Sequence, residues 1–153
     1  MKVSIFSREM TEDMVSAGKF PENTAVISFF DPEIKHIDKD YKPVDYSGVC
    51  DYVFYSEIDD LDLDVLERKG YTYDTYFPEA DELAKFIYNV RNKNMDIICQ
   101  CEYGQSRSAG CAAAILEHFF HTGITVFADY RYYPNQLVYH KVHDALEKLM
   151  HNS

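Results

Sequence analysis

The feature that most constrains the fold is a stretch in which an apolar strand passes through a short loop into a helix. Its first part, residues 97–101, reads Ile-Ile-Cys-Gln-Cys and is typical of a buried strand. Five residues separate Cys101 from Arg107, where a run of small residues predicts a helix that packs closely on its neighbours. A helix that follows a strand in this way is the repeating unit of α/β proteins with parallel sheets.

The loop between Cys101 and Arg107 has the chemistry of an anion site. Its successive backbone N–H groups and the positive end of the following helix would face one oxyanion. The planar guanidinium of Arg107 can donate two parallel hydrogen bonds to phosphoryl oxygens. The same positive surroundings favour the thiolate of Cys101, which is the nucleophilic form of cysteine. Because ligands of parallel sheets bind at the carboxyl ends of strands, we expect a phosphate site here.

The remaining pattern predicts the α/β class, with a central, mainly parallel sheet flanked by helices. Strands are predicted at residues 2–7, 24–30, 52–58 and 95–101. Helices are predicted at 8–17, 78–92, 107–121 and 135–150, and a loop is predicted at 33–48. With 153 residues and no internal repeat, the chain is expected to be one domain over 1–153.

The net charge limits the classes of binding partner that we expect, and the cysteines indicate the cellular compartment. The formal net charge of −11 disfavours nucleic acid and anionic membranes, which need a basic surface, although a local site can still bind phosphate, sulfate or vanadate. The N-terminus has no signal-peptide layout, and no window approaches the roughly 18 apolar residues of a membrane span. The four cysteines include no C-x-x-C pair and form no disulfide framework at this length, so we expect a cytoplasmic protein.

The loop resembles the signature loop of the cysteine-dependent protein tyrosine phosphatases, and most of all that of their compact dual-specificity branch. It reads Cys101-Glu102-Tyr103-Gly104-Gln105-Ser106-Arg107-Ser108. The resemblance implies that Cys101 is the nucleophile and that Arg107 binds phosphate together with the backbone of residues 102–107. It further implies that the hydroxyl of Ser108 helps the thiolate to leave in the second step.

Other parts of the chain extend the resemblance, with one departure. The Pro-Asn pair at 134–135 is similar to the family's segment that opens the last helix. The family usually has His before the nucleophile, where this chain has Gln100, a neutral amide that can hydrogen-bond but cannot carry charge. Cys50, Cys99 and Cys111 are interpreted as core thiols.

A phosphatase of this kind also needs a carboxylic acid that protonates the leaving oxygen. Asp59 and Asp60 follow the third predicted strand and are the main candidates. Asp60 is favoured because an apolar residue follows it, as in the family's acid loop, and Asp74 is a further candidate. The acidic run that begins at Asp60 does not fit a calcium loop, because the glycine and the final glutamate of that motif are missing.

These observations predict a small phosphomonoester hydrolase that acts on phosphorylated proteins or peptides, with phosphotyrosine favoured. No metal and no organic cofactor is expected, and the six histidines show no H-x-x-x-H spacing. A phospho-binding module that has lost turnover stays open as an alternative, for which Gln100 is the only hint. Sulfur or arsenate chemistry is a weaker alternative, because arsenate reduction needs resolving cysteines. The residues at 102, 103 and 105 are not basic, which disfavours an inositide substrate.

Overall fold

The computed structural model describes residues 1–32 and 34–152. The described residues form the strands β1 (Val3–Ser7), β2 (Thr24–Phe30), β3 (Val53–Glu57) and β4 (Asp96–Cys101). They also form the helices α1 (Arg8–Ser16), α2 (Ile34–Ile37), α3 (Ala80–Asn92), α4 (Arg107–Phe120), α5 (Ile124–Phe127) and α6 (Gln136–His151). None of the helices in this part of the chain has the length and the apolar character needed to cross a bilayer.

The sheet is entirely parallel, and its strand order is β1-β4-β2-β3. β4 therefore lies inside the sheet, with Cys101 opposite Ser7 of β1 and Gln100 opposite Ser28 of β2. Because all four strands run in the same direction, their carboxyl ends meet at one edge, and the residues that follow them converge there. The predicted α/β class with a central parallel sheet is confirmed.

The two faces of the sheet bury different sets of residues. One face packs against α3, α4 and α6 through the side chains of Ala25, Ile27, Phe29, Ile97, Cys99 and Cys101. On the other face, Val26 and Ile98 pack with Val44 and Tyr46 and with α1. Each large apolar side chain that is fully buried in these clusters stabilises the fold by about 1.5–3 kcal/mol relative to exposure. Because side chains alternate along a strand, Gln100 and Cys101 point to opposite faces.

Most predicted elements agree with the structure. The strand predicted at 24–30 is β2, and the other predicted strands and helices agree within two residues at either end. The prediction of a loop over 33–48 is wrong in part, because α2 lies inside it; residue 33 is outside the described residues. The sequence also does not predict α5 or the two short 3-10 turns, Leu63–Val65 and Glu67–Lys69. Helices of one turn are too short to show a 3.6-residue period.

Candidate active site

The loop over 101–107 leaves the carboxyl end of β4 and enters α4, and the backbone around it fixes its shape. Gly104 has a φ of +67°, and a Cβ at this position would lie 2.6 Å from the backbone nitrogen of Ser7. Only glycine therefore fits where the loop passes the junction of β1 and α1. In the same region the carbonyl of Glu102 accepts a hydrogen bond from the backbone N–H of Arg8 at 3.1 Å.

Cys101 lies at the base of this loop, and its side chain is 3% exposed. Its Sγ is 3.0 Å from the Oγ of Ser108, which is fully buried in the first turn of α4. The amino-terminal end of this long helix carries a partial positive charge that favours an anion beside it. The thiol of Cys101, the hydroxyl of Ser108 and the amino-terminal end of α4 therefore lie close together.

Arg107 is the last residue of the loop, and its Nη1 makes the hydrogen bonds that the described residues offer to its guanidinium. Its Nη1 donates to Oδ1 of Asp31 and to the carbonyl of Ile58, both at 2.7 Å. Burial works against its charge, but the neighbouring Asp31 and Cys101 outweigh burial and raise the pKa of Arg107 above its ordinary value. Its Nε is buried and has no hydrogen-bond partner among the described residues. A buried, charged donor without a partner is costly, so this nitrogen is suited to an incoming oxyanion.

Asp31 is a site residue that the sequence analysis missed. It follows β2 directly, and β2 lies between β4 and β3 at the edge where the strands end. Its carboxylate is 23% exposed, and it pairs with a guanidinium that is only 4% exposed. The signal that could have identified it is its position, since a carboxylate that follows a buried strand of a parallel sheet lies at the ligand-binding edge.

Asp60 is hydrogen-bonded to the loop. Its Oδ1 accepts from the hydroxyl of Ser106 and from Nδ2 of Asn135, both at 2.7 Å. Nδ2 of Asn135 also donates to the carbonyl of Leu61 at 3.0 Å, and its Oδ1 accepts from the N–H of Val138 and so caps α6. The Pro-Asn segment noted in the sequence therefore joins the acidic loop to the anion loop.

The other two candidate carboxyls lie elsewhere. Oδ2 of Asp59 accepts from the hydroxyl of Tyr71 at 3.3 Å, and its carbonyl accepts from the hydroxyl of Tyr76 at 2.6 Å. Asp74 is exposed, and the hydroxyl of the preceding Tyr73 donates to Asp144 of α6. Of the three candidates, Asp60 is the one that contacts the loop within the described part of the chain.

Gln100 has its own hydrogen-bond network on the face of the sheet opposite to the Cys101 thiol. Its Oε1 accepts from the hydroxyls of Ser28 at 2.6 Å and Tyr46 at 2.8 Å. Its Nε2 donates to the backbone carbonyl of Cys101 at 3.1 Å. The side chain is 2% exposed, and its carbonyl oxygen and one N–H are satisfied. Gln100 thus holds the backbone of Cys101 through a neutral amide, without any charge.

Two clefts flank the loop. One, of about 570 Å³, is lined by Arg8 and Tyr103 and by the acidic side chains of Glu9, Glu12, Asp13 and Glu102. The other, of about 590 Å³, lies beside Ser106 and includes Tyr132 and Tyr133. Tyr103 is 80% exposed and Tyr133 is 74% exposed. Exposed aromatic rings beside the loop offer surfaces on which an aryl or peptide group can stack.

The fold and the loop together define an α/β protein in which a central parallel strand ends in a loop bounded by cysteine and arginine. No protein-family model matches the sequence, and no curated protein matches it.

Solved structures match almost the whole chain. Human DUSP28 is similar with a TM-score of 0.59 and 11% identity, over 97% of this chain and 90% of that one. The Cydia pomonella PTP-2 phosphatase has a TM-score of 0.55 and 12% identity, over 94% and 85%. The human tyrosine phosphatase-like serine/threonine/tyrosine-interacting protein has a TM-score of 0.54 and 14% identity, over 96% and 87%. The chain has the fold of the cysteine-dependent tyrosine and dual-specificity phosphatases, which confirms the fold implied by its signature loop.

Proposed function

We propose that the chain is a phosphoric monoester hydrolase that acts on phosphorylated proteins or peptides, with phosphotyrosine favoured, through a phosphocysteine intermediate. The observation that carries the proposal is Arg107, which is buried, oriented by Asp31 and Ile58, and left with an unpartnered Nε among the described residues. A guanidinium in this state, six residues after a buried cysteine and at the start of a helix, suits the transferred phosphoryl group.

In the first step the thiolate of Cys101 attacks phosphorus in line with the leaving oxygen. An S–P bond forms and the P–O bond to the substrate breaks, while Arg107 and the N–H groups of 102–107 hold the equatorial oxygens. These donors stabilise the charge that develops on the phosphoryl oxygens in the transition state. In the second step water attacks the phosphocysteine, and the hydroxyl of Ser108, 3.0 Å from Sγ, donates to the departing thiolate. None of these steps requires a metal or an organic cofactor.

Asp60 is the proposed general acid. Its Oδ1 already accepts two hydrogen bonds, from Ser106 and Asn135, so the transferable proton resides on Oδ2. From there it passes to the leaving oxygen in the first step, and the resulting carboxylate accepts a proton from water in the second. The two fixed bonds to Oδ1 orient the carboxyl toward the loop in both states.

Replacing Asp60 by Asn is expected to lower kcat for a phosphotyrosine peptide by about 100-fold, because the basic phenolate then leaves without a proton. The loss should be smaller for p-nitrophenyl phosphate, whose leaving group is less basic. Steady-state kinetics with both substrates measures the difference. Asp59→Asn is the matched control and should retain kcat within about threefold, since its side chain points to Tyr71. A larger loss in Asp59→Asn than in Asp60→Asn would reject the assignment.

The clefts beside the loop support a particular kind of peptide. One cleft is lined by the acidic residues Glu9, Glu12, Asp13 and Glu102, and Arg8 is the one basic residue among the described residues that line it. Together with the formal net charge of −11, this favours phosphopeptides with Lys or Arg next to the phosphorylated residue. The exposed Tyr103 and Tyr133 offer stacking surfaces for the aromatic ring of phosphotyrosine.

A panel of phosphorylated substrates tests the proposal directly. Orthophosphate release is measured for phosphotyrosine, phosphoserine and phosphothreonine peptides with basic or acidic flanks, and for a phosphoinositide. We expect the phosphotyrosine peptide with basic flanks to have the highest kcat/KM, and this preference to weaken as salt is added. Binding of vanadate and phosphopeptide without orthophosphate release from any substrate would instead favour a phospho-binding module.

A cytoplasmic location is part of the same proposal. The mechanism needs Cys101 as a thiolate, and a reducing compartment preserves it. All four cysteines are unpaired: Cys50, Cys99, Cys101 and Cys111. Cys99 and Cys111 are buried in the core as expected, whereas Cys50 is half-buried.

A further inference from the structure

A cluster of side chains that can bind metal lies where α4 contacts α6, outside the loop over 101–107. His143, Glu147 and His151 follow one another at intervals of four residues and so share one face of α6. His118, near the end of α4, faces the middle member of this row. The sequence has no pair of histidines four residues apart, and on α6 a glutamate lies at that spacing between His143 and His151.

The ligand atoms of three of these residues are close together. Nδ1 of His118 is 2.9 Å from Oε1 of Glu147, and Nε2 of His143 is 3.6 Å from the same oxygen. One ligand atom from each of the three residues lies within 4.8 Å of the other two. Bonds of about 2.0 Å around a tetrahedral zinc ion place its ligands about 3.3 Å apart, so small side-chain rotations bring the three atoms to coordinating distances.

His118 is oriented by groups around its ring. Its side chain is 1% exposed, and Nε2 lies 2.6 Å from the hydroxyl of Tyr88. The rings of Tyr88 and Phe119 pack against it edge to face. The tyrosine hydroxyl can act as donor or as acceptor to Nε2. Without metal, Nδ1–H of His118 can therefore donate to Glu147 while Nε2 accepts from Tyr88. With metal, Nδ1 can bind the ion while Nε2–H donates to Tyr88. A partner on the far nitrogen is the usual outer-shell arrangement of a metal-binding histidine.

We propose that His118, His143 and Glu147 bind a divalent transition metal ion of the zinc class, with water in the fourth position. Two imidazoles and one carboxylate suit zinc, whereas magnesium and calcium prefer oxygen ligands alone. His143 is 27% exposed and Glu147 is 36% exposed, which leaves an entry path, and the net charge of −11 attracts cations to the surface.

The site is separate from the proposed catalytic loop and does not depend on it. His118 follows Arg107 by eleven residues on α4, which corresponds to about 16 Å along the helix. A bound ion would join α4 to α6 and, through Tyr88, to α3. It is therefore expected to stabilise the packing of these three helices without occupying the anion loop.

Zinc titration of the full chain tests the site, by calorimetry and by the thermal unfolding midpoint. We expect one ion per chain and a rise in the midpoint with zinc, and a loss of at least tenfold in affinity in both His143→Gln and Glu147→Gln. These residues are partly exposed, so the variants are expected to fold, whereas His118 is buried. His140→Gln is the matched control, since His140 is exposed on the same helix outside the cluster and its variant should bind zinc as the unmodified chain does.

Cobalt distinguishes this site from the cysteines. The Co²⁺-loaded protein should show visible ligand-field bands without the intense thiolate-to-cobalt charge-transfer band that cysteine ligation produces. Unchanged zinc affinity in both His143→Gln and Glu147→Gln would overturn the proposal, and so would a thiolate band in the cobalt protein. Neither result depends on phosphatase activity.

Discussion

Replacing Cys101 by Ser is expected to abolish turnover of p-nitrophenyl phosphate while the loop still binds oxyanions. A hydroxyl at this position is not deprotonated near neutral pH, so no nucleophile forms and no covalent intermediate accumulates. The change removes little volume, and Ser108 can still hydrogen-bond to the new hydroxyl, so the loop keeps its shape. Arg107 and the backbone N–H groups remain to bind phosphate or tungstate, which calorimetry measures.

Cys50→Ser is the matched control for this variant. Cys50 is half-buried outside the loop, where its thiol donates to the carbonyl of Thr24 at 3.2 Å. We expect it to keep the turnover of the unmodified chain. Rapid-quench experiments should trap a phosphorylated protein in the unmodified chain and in Cys50→Ser, and none in Cys101→Ser. Turnover that survives in Cys101→Ser would show that another group attacks phosphorus.

Replacing Arg107 by Lys is expected to reduce kcat/KM by about a thousandfold, which is the upper range for losing one donor to a transition-state oxyanion. Lysine keeps the charge but lacks the planar fork, so it cannot hold Asp31 and Ile58 on one side and a phosphoryl oxygen on the other. Because the fork contacts the equatorial oxygens most strongly in the transition state, kcat should fall more than KM rises.

Arg91→Lys provides the control for a general effect of exchanging arginine for lysine. The guanidinium of Arg91 lies over the ring of Phe119 at 4.2 Å and is distant from the loop in the fold, on α3. Its variant should retain kcat/KM while it loses a little stability. A comparable loss of activity in both variants would mean that Arg107 acts through the stability of the fold and not through phosphate.

The candidate loop between β4 and α4 could be identified from the sequence because its parts are contiguous. Cys101, Gly104, Arg107 and Ser108 lie within eight residues, so their spacing alone carries the chemistry. Asp31 could not be predicted in the same way, because it is 76 residues from Arg107 and only the strand order brings the two together. The helices that were missed, α2 and α5, have one turn each and no periodic pattern.

The choice between Asp59 and Asp60 shows a second limit of sequence reasoning. The two residues are of the same type and are neighbours in the sequence, so neither residue type nor position separates them. What separates them is the direction of each side chain, which the sequence does not give. The structure turns Asp60 toward Ser106 and Asp59 toward Tyr71. The position of Gln100 on the opposite face from the thiol likewise follows from strand alternation, but its partners Ser28 and Tyr46 come from distant parts of the chain.

Asn135 links three parts of the structure: the loop that holds Ser106, the acidic loop that holds Asp60, and the start of α6. Its backbone N–H donates to the carbonyl of Ser106, its side-chain Nδ2 donates to Asp60, and its side-chain Oδ1 accepts from the N–H of Val138 in the first turn of α6. An opening of the acidic loop breaks the two hydrogen bonds of Nδ2 and so loosens the side chain whose Oδ1 caps a sixteen-residue helix. We therefore expect local unfolding of the loop and of the helix start to be coupled, at a higher free energy than that of opening a loop alone. We thus expect opening of the proposed active site to be coupled to fraying of the first turn of α6.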